Sequence, residues 1–315
     1  MADVAVAVAG LTKRFQARYA VERISFEAER GQIFGLVGPD GAGKTTTMRM
    51  LAGVLPPDEG TALVAGADVA RDPEAVKRNI SYMPQRFGLY EDLTVDENIR
   101  FYADLFGLDR AARERNAERL LTASGMMEFR TRLSGKLSGG MKQKLGLICA
   151  LIHQPRIILL DEPTTGVDPV SRRDFWRILY AMLAEGVTIL TATSYLDEAE
   201  RCHRLALMHE GRVLFCGSPR ELKLRLPGGV ISVSSPDARA AETALAHAEG
   251  VATALVRGEE LRLVVDEPQH RIGELRARLE AASIPFRSVT EVPPSVEDVF
   301  VDSISRLRGR VQDAR

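Results

Sequence analysis

The chain has 315 residues, enough for one large domain or two modest ones with a sizeable core. Its 42 lysines and arginines against 43 acidic residues leave a net charge of −1, which argues against a polyanion as main partner: no nucleic acid is expected, and any nucleotide phosphate has to be held locally. Cys149, Cys202 and Cys216 are odd in number and widely spaced, which excludes a disulfide framework and a cysteine metal cluster and fits a reduced cytosolic chain.

The opening MADVAVAVAGLTKRF alternates polar and apolar residues, so it is expected to form a strand rather than a leader peptide. No eighteen apolar residues run together, so no bilayer span is expected. From Gln32 to Val37 the sequence is strongly apolar, as a strand buried on both faces requires. It leads into GPDGAGKTT, Gly38 to Thr46, and a helical TTTMRMLAG. That is the G-x-x-x-x-G-K-[ST] pattern between a strand and a helix, the context a phosphate-binding loop needs. Gly38, Gly41 and Gly43 let consecutive amides point inward at a helix N-terminus, with Asp40, Ala42 and Thr46 completing the nucleotide-binding stretch. Lys44 brings a positive charge to the β and γ phosphates, and Thr45 a hydroxyl for Mg²⁺.

From Thr94 to Arg132 the texture turns helical, as in VDENIRFYADLFG and RAARERNAERLLTASG; a helical subdomain is placed at about 86–155. The mixed charges of RAARERNAER read as a solvated face. KLSGGMKQKLGLICALI sets Ser138, Gly139 and Gly140 before a helix, a second turn that can offer amides and a hydroxyl to an anion. The apolar strand Ile157 to Leu160 then delivers Asp161 and Glu162 at its C-terminal end, where ligands of open α/β sheets gather. Asp161 suits the Mg²⁺ shell, and Glu162 a base that polarises the attacking water. Ser171 and Asp174 in SRRDFWRIL are expected to cap the next helix. Another apolar strand, Val187 to Leu190, precedes TSYLDEAE.

A proline and two glycines, Pro227 to Gly229, break the pattern, so a first domain is placed at 1–222 and a second at 228–315. The second unfolds as βαββαβ: VISVSS, ARAAETALAHAE, two strands ending in ELRLVVD, a helix with Ile272, Leu275 and Leu279 on one face, and FRSVTEV. That order suggests a small α+β unit of ferredoxin-like type. The last helix starts at PSVED, where Ser295 and Asp298 have capping-box spacing, with Val296, Val299, Phe300 and Leu307 on one face.

Five stretches, GPDGAGKT, YMPQ with Gln85, LSGGM, LLDEP and TGVD, follow one another in the order seen in the ATPase subunits of ATP-binding-cassette (ABC) transporters, which the chain resembles from about Val4 to Pro219. The resemblance implies an α/β P-loop NTPase core with a helical subdomain, and ATP with Mg²⁺ as ligands. It gives Phe15 the role of a shelf beneath adenine, puts Gln85 at Mg²⁺ or the lytic water, and seats Asp168 at a dimer seam. In that family two cassettes pair head to tail, so Ser138, Gly139 and Gly140 of one would close over the ATP of the other. The pair would be a homodimer or a heterodimer.

The ending EVPPSVEDVFVDSISRL is similar to the C-terminal extension of bacterial multidrug and related type-two exporters. This second resemblance implies an ATPase at the cytoplasmic face of the inner membrane, peripheral through a separate multi-span permease, exporting drug, lipid or polysaccharide. Two alternatives stand beside it: a soluble ABC ATPase outside transport, and an ATP clamp that hydrolyses weakly beside a more active cassette. The second gains from Ser194, a candidate catalytic position where the family usually has a histidine that holds the γ phosphate and the lytic water. Serine is too short to span that gap directly.

Overall fold

The alternation of the first fifteen residues becomes β1 (Val4–Phe15), which pairs antiparallel with β2 (Arg18–Glu29). The structure, a computed structural model, describes residues 3–313, with side chains as far as Arg306; Leu307, expected on the buried face of the last helix, lies outside the described side chains. β3 (Ile33–Val37) runs into α1 (Lys44–Leu51), followed by β4 (Glu59–Val64), β5 (Ala67–Asp68), α2 (Pro73–Asn79) and β6 (Ile80–Met83). Then come α3 (Val95–Leu105), α4 (Arg110–Ser124), α5 (Gly139–Leu151), β7 (Ile157–Asp161), α6 (Pro169–Ala184), β8 (Thr188–Thr193), α7 (Leu196–Ala199), β9 (Arg204–His209) and β10 (Arg212–Gly217).

Two sheets build this first unit, residues 1–216. One is four-stranded, β2-β1-β4-β5, and antiparallel. The other has the order β10-β9-β3-β8-β7-β6, with β3 parallel to both β8 and β9, and β7 parallel to both β6 and β8. β3, β7 and β8 are buried along their whole length because both faces of this sheet are covered. Alternate residues go to opposite sides, as the two-residue period of a strand demands. Phe34, Leu36, Leu159 and Leu190 join a core with β1, β2 and α1, whereas Ile33, Ile158, Leu160 and Ile189 join one with α3 to α6. Since β3, β7 and β8 run parallel, the loops after all three emerge at one end of the sheet.

The helical segment is fastened by polar groups. Thr94 and Glu97 form a reciprocal capping box at the start of α3. Asn98, wholly buried, accepts from the Tyr90 amide at 2.9 Å and donates to the carbonyls of Tyr90 and Thr94, each at 3.0 Å. That pins the loop connecting Gln85 to α3.

The second unit, residues 217–315, begins with α8 (Pro219–Lys223) and continues through β11 (Gly229–Ser234), α9 (Ala238–Leu245), β12 (Val251–Arg257), β13 (Glu260–Val265), α10 (Pro268–Ala281), β14 (Ser288–Val292) and α11 (Val296–Asp313). Its antiparallel sheet has the order β12-β13-β11-β14, the arrangement a βαββαβ ferredoxin-like chain produces. Ile231, Val233, Leu261 and Leu263 pack on Leu245, Leu275 and Leu279 of α9 and α10. The division at Cys216/Gly217 puts the short α8 with this unit, where it packs on α11.

Candidate active site

β3 ends against β8, where the Gly38 amide donates to the Thr193 carbonyl at 3.2 Å. At two positions the loop after β3 leaves no room for a side chain. A Cβ on Gly38 would overlap the Met208 carbonyl, and one on Gly43, at φ 100°, would lie 2.5 Å from the Ala20 carbonyl oxygen. Only glycine lets the loop curl this tightly before α1 starts at Lys44. Buried Lys44 reaches back, donating from Nζ to the carbonyls of Gly38 (2.7 Å) and Pro39 (2.9 Å), and lies 3.0 Å from Glu162 Oε1. Its charge is thus held at the mouth of the loop.

β7 delivers Asp161 and Glu162 to the same place. Thr45 Oγ1 donates to Asp161 Oδ1 at 2.9 Å and the Tyr82 hydroxyl to Oδ2 at 3.2 Å. Burial pushes the Asp161 carboxyl above the ordinary carboxylate range, against the pull of those two bonds. Burial and the facing Asp161 push the Tyr82 phenol up to about 12, so it stays a donor. Glu162 sits at φ 53°, a left-handed conformation uncommon outside glycine, with its amide bonded to the Ala192 carbonyl at 2.9 Å. Its Oε2 accepts from Thr165 Oγ1 at 3.0 Å and Ser194 Oγ at 3.1 Å, while Oε1 faces Lys44.

These groups open on a cleft of about 730 Å³ lined by Phe15, Tyr19, Asp40, Gly41, Gly43, Lys44, Thr45, Thr46, Gln85 and Glu162. Phe15, at the end of β1, is 52% exposed, which is unusual for an aromatic and leaves its ring available at the rim. Ala42 is buried beneath the loop and its carbonyl accepts from the Gly211 amide at 3.1 Å. Asp161 lies behind Thr45 rather than on the cleft wall.

Ser138, Gly139, Gly140 and Asp168 do not line this cleft. Exposed Ser138 caps α5, accepting from the Met141 amide at 3.3 Å. Asp168 caps α6 through the amides of Val170 (3.0 Å) and Ser171 (2.9 Å), bonds that with the Ser171 hydroxyl hold its carboxyl below the ordinary range. This corrects the expected capping by Ser171 and Asp174, because α6 begins earlier, at Pro169; Asp174 instead pairs with Lys144 of α5 at 2.8 Å. A Cβ on Gly140 would overlap the Ser171 side chain, so the LSGG turn and the start of α6 are packed glycine to serine.

The sequence did not point to Tyr82 or Thr165 as members of the site. Tyr82 stands beside Asp161 only because β6 and β7 are neighbours, with Tyr82 registered to Leu159. Thr165 is three residues past Glu162, a spacing that the turn after β7 folds back on itself. Buried Cys149 and Cys202 have thiols pushed up by burial and take no part.

Residues 21–165 match the family described as ABC transporter. The chain is 43% identical over 307 residues to the probable multidrug ABC transporter ATP-binding protein YbhF of Escherichia coli (strain K12), an alignment covering 96% of this chain and 52% of that protein. The chain therefore spans about half the length of that relative. It is 37% identical over 308 residues to the Nod factor export ATP-binding protein I of Ralstonia nicotianae, covering 97% of this chain and 94% of that one. A solved structure, an ATP binding subunit of an ABC transporter, superposes with a TM-score of 0.64 at 32% identity, over 70% of this chain and 92% of the other.

Proposed function

The chain belongs to the ABC transporter family, and on that premise we propose that it binds and hydrolyses ATP as one of two cassettes that power export through a separate membrane-spanning partner. The observation that carries this reading is the meeting of Lys44, Thr45, Asp161 and Glu162 at the ends of β3 and β7, beneath one cleft. The phosphates would lie on the amides of residues 41–46 with Lys44 between β and γ, and the adenine on Phe15. Glu162, steadied by Thr165 and Ser194, would polarise the attacking water. Thr45, Asp161 and Gln85 can offer oxygen atoms only, the donor set that suits a hard ion such as Mg²⁺, which when bound would neutralise phosphate charge.

Ser138, Gly139, Gly140 and Asp168 stand away from the chain's own cleft, which supports their use on the nucleotide of a second cassette, in a homodimer or a heterodimer. Among the described residues no helix is long and apolar enough to cross a membrane. In this reading the transport path is supplied by another polypeptide, which would hold this one at the cytoplasmic face of the membrane. Contact with it is supported by Val54, Leu105 and Phe106, apolar yet 61%, 68% and 42% exposed, around a hollow of about 300 Å³ next to the Gln85 loop. The relatives named for multidrug and Nod factor export favour export over import; drug, lipid and polysaccharide remain the candidate cargoes. We assign the cassette to the first unit, residues 1–216, and subunit contact or regulation to the second, residues 217–315.

A second reading, a clamp that binds ATP and turns it over slowly, is favoured by Ser194, whose hydroxyl is spent on Glu162. One experiment separates the readings. Lys44→Ala abolishes nucleotide binding, whereas Glu162→Gln retains it and accumulates an ATP-dependent dimer on size exclusion, because the carboxylate serves hydrolysis and not affinity. Unchanged ATP affinity in Lys44→Ala would overturn the site. Wild-type turnover no faster than that of Glu162→Gln would favour the clamp.

A further inference from the structure

Glu198, the first glutamate of the DEAE stretch, is wholly buried beside the site but outside the cleft. A buried carboxylate is costly unless its oxygens are satisfied. Here they are, by donors from a turn, a helix and a strand. Oε1 accepts from Thr164 Oγ1 at 2.5 Å and from Trp176 Nε1 of α6 at 3.0 Å, and Oε2 from Thr193 Oγ1 at 2.8 Å. Arg172, one turn into α6, has Nε 3.9 Å from Oε1 and its guanidinium 3.9 Å above the Tyr195 ring.

The two oxygens divide their partners between two segments of the site. Thr164 lies two residues past Glu162, in the turn where Glu162 itself is held at φ 53°. Backbone in that region is strained and persists only where the surroundings over-determine it. Thr193 immediately precedes Ser194, and its hydroxyl also accepts from the Tyr195 amide at 3.0 Å, so one side chain braces the backbone on both sides of Ser194. One carboxylate therefore ties together the two segments whose Glu162 and Ser194 meet at 3.1 Å.

We propose that Glu198 is a positioning residue that holds Glu162 and Ser194 in register through Thr164 and Thr193, without touching nucleotide. The proposal rests on the ATP-hydrolase reading above. It assigns to Glu198 an effect on kcat rather than on affinity, since none of its hydrogen bonds goes to Lys44 or to the glycine loop. A carboxylate is required: the Trp176 N–H can only donate, so an amide would have to turn its oxygen to Oε1's partners and its NH₂ to Thr193, taking away the acceptor of the Thr193 hydroxyl.

The test uses the full-length chain and measures ATP affinity, KM and kcat for Glu198→Gln, Thr164→Val and Thr193→Val, with Thr164→Ser and Thr193→Ser as conservative partners that keep each hydroxyl. Valine fills the threonine volume: Thr164→Val cuts the bond to Glu198, and Thr193→Val cuts both the bond to Glu198 and the one from the Tyr195 amide, so the test stands even if Glu198→Gln proves too unstable to purify. The expected result is kcat lower by about tenfold in each valine variant, the order of one hydrogen bond to a charged group. KM and affinity stay unchanged, and the serine variants recover wild-type kcat. Wild-type kcat in both valine variants, or a parallel fall of kcat and ATP affinity, would overturn the positioning role while leaving the hydrolase reading intact. Turnover in the wild type that Glu162→Gln does not reduce would remove the hydrolase reading, and this proposal with it.

Discussion

Ser194 is half-buried and gives its hydroxyl to Glu162 Oε2 rather than to the cleft. Where the family resemblance implies a longer histidine, the serine bonds Glu162 and does not line the cleft. Two changes at this position should therefore move kcat in opposite directions. Ser194→His restores a side chain able to span the gap, and kcat is expected to rise severalfold at unchanged ATP affinity. Ser194→Ala removes a hydrogen bond to a charged group, worth about 1.5–3 kcal/mol, and kcat should fall by about tenfold or more if that bond persists in the transition state. Steady-state ATPase assays check both; a histidine variant no faster than wild type would show that the serine does not limit turnover. Asp168 differs from Ser194 in having a structural duty of its own. Its carboxylate is occupied in capping α6, so any seam contact would be made by a group that already holds the helix start.

Among the elements, α11 shows how a buried charge can hold a helix on a sheet. Arg262 of β13 donates to Asp298 through Nε (3.0 Å) and Nη2 (2.7 Å), and Nη2 also donates to the Pro293 carbonyl at 3.0 Å. Asp298 Oδ2 accepts from the Ser295 amide and hydroxyl, both at 2.7 Å, which closes the capping box expected from PSVED. Burial pushes the Asp298 carboxyl up, but Arg262 and Ser295 outweigh it and hold the group below its ordinary 3.8. A depressed carboxylate contributes stability above its unfolded value that is lost as pH falls through the folded one. The second unit should accordingly lose this contribution below about pH 4. Arg262→Met leaves the carboxylate buried without its partner and should cost about 3–5 kcal/mol at neutral pH, with the gap to wild type narrowing on acidification. Hydrogen exchange at β11 and β13, at pH 7 and in acid, measures both; a pH-independent gap would contradict the assignment.

At the scale of the whole molecule, each unit has a core of its own: Phe34, Leu159 and Leu190 belong to one within residues 1–216, and Ile231, Leu261 and Leu279 to one within 217–315. Removing the residues after Leu226 should leave a soluble chain that binds ATP with wild-type affinity, since every group lining the cleft lies in the first unit. Aggregation of that truncated chain would mean the cassette needs the second unit for its stability. The sequence by itself determined what depends on neighbours along the chain. A phosphate loop requires closely spaced glycines, Lys44 and Thr45 between one apolar strand and one helix, and a two-residue or helical period marks each element locally. The βαββαβ order of the second unit was legible for the same reason. Only the tertiary structure decided which side chains meet. Thr45 and Asp161 are 116 positions apart, Glu162 and Ser194 are 32 apart, and Tyr82 and Asp161 are 79 apart. Each pairing is set by strand order in the parallel sheet, where β3, β8, β7 and β6 lie side by side although other elements separate them in the chain. No local period encodes that order: it is fixed by burying both faces of the sheet at once, and the site's geometry is inherited from that packing.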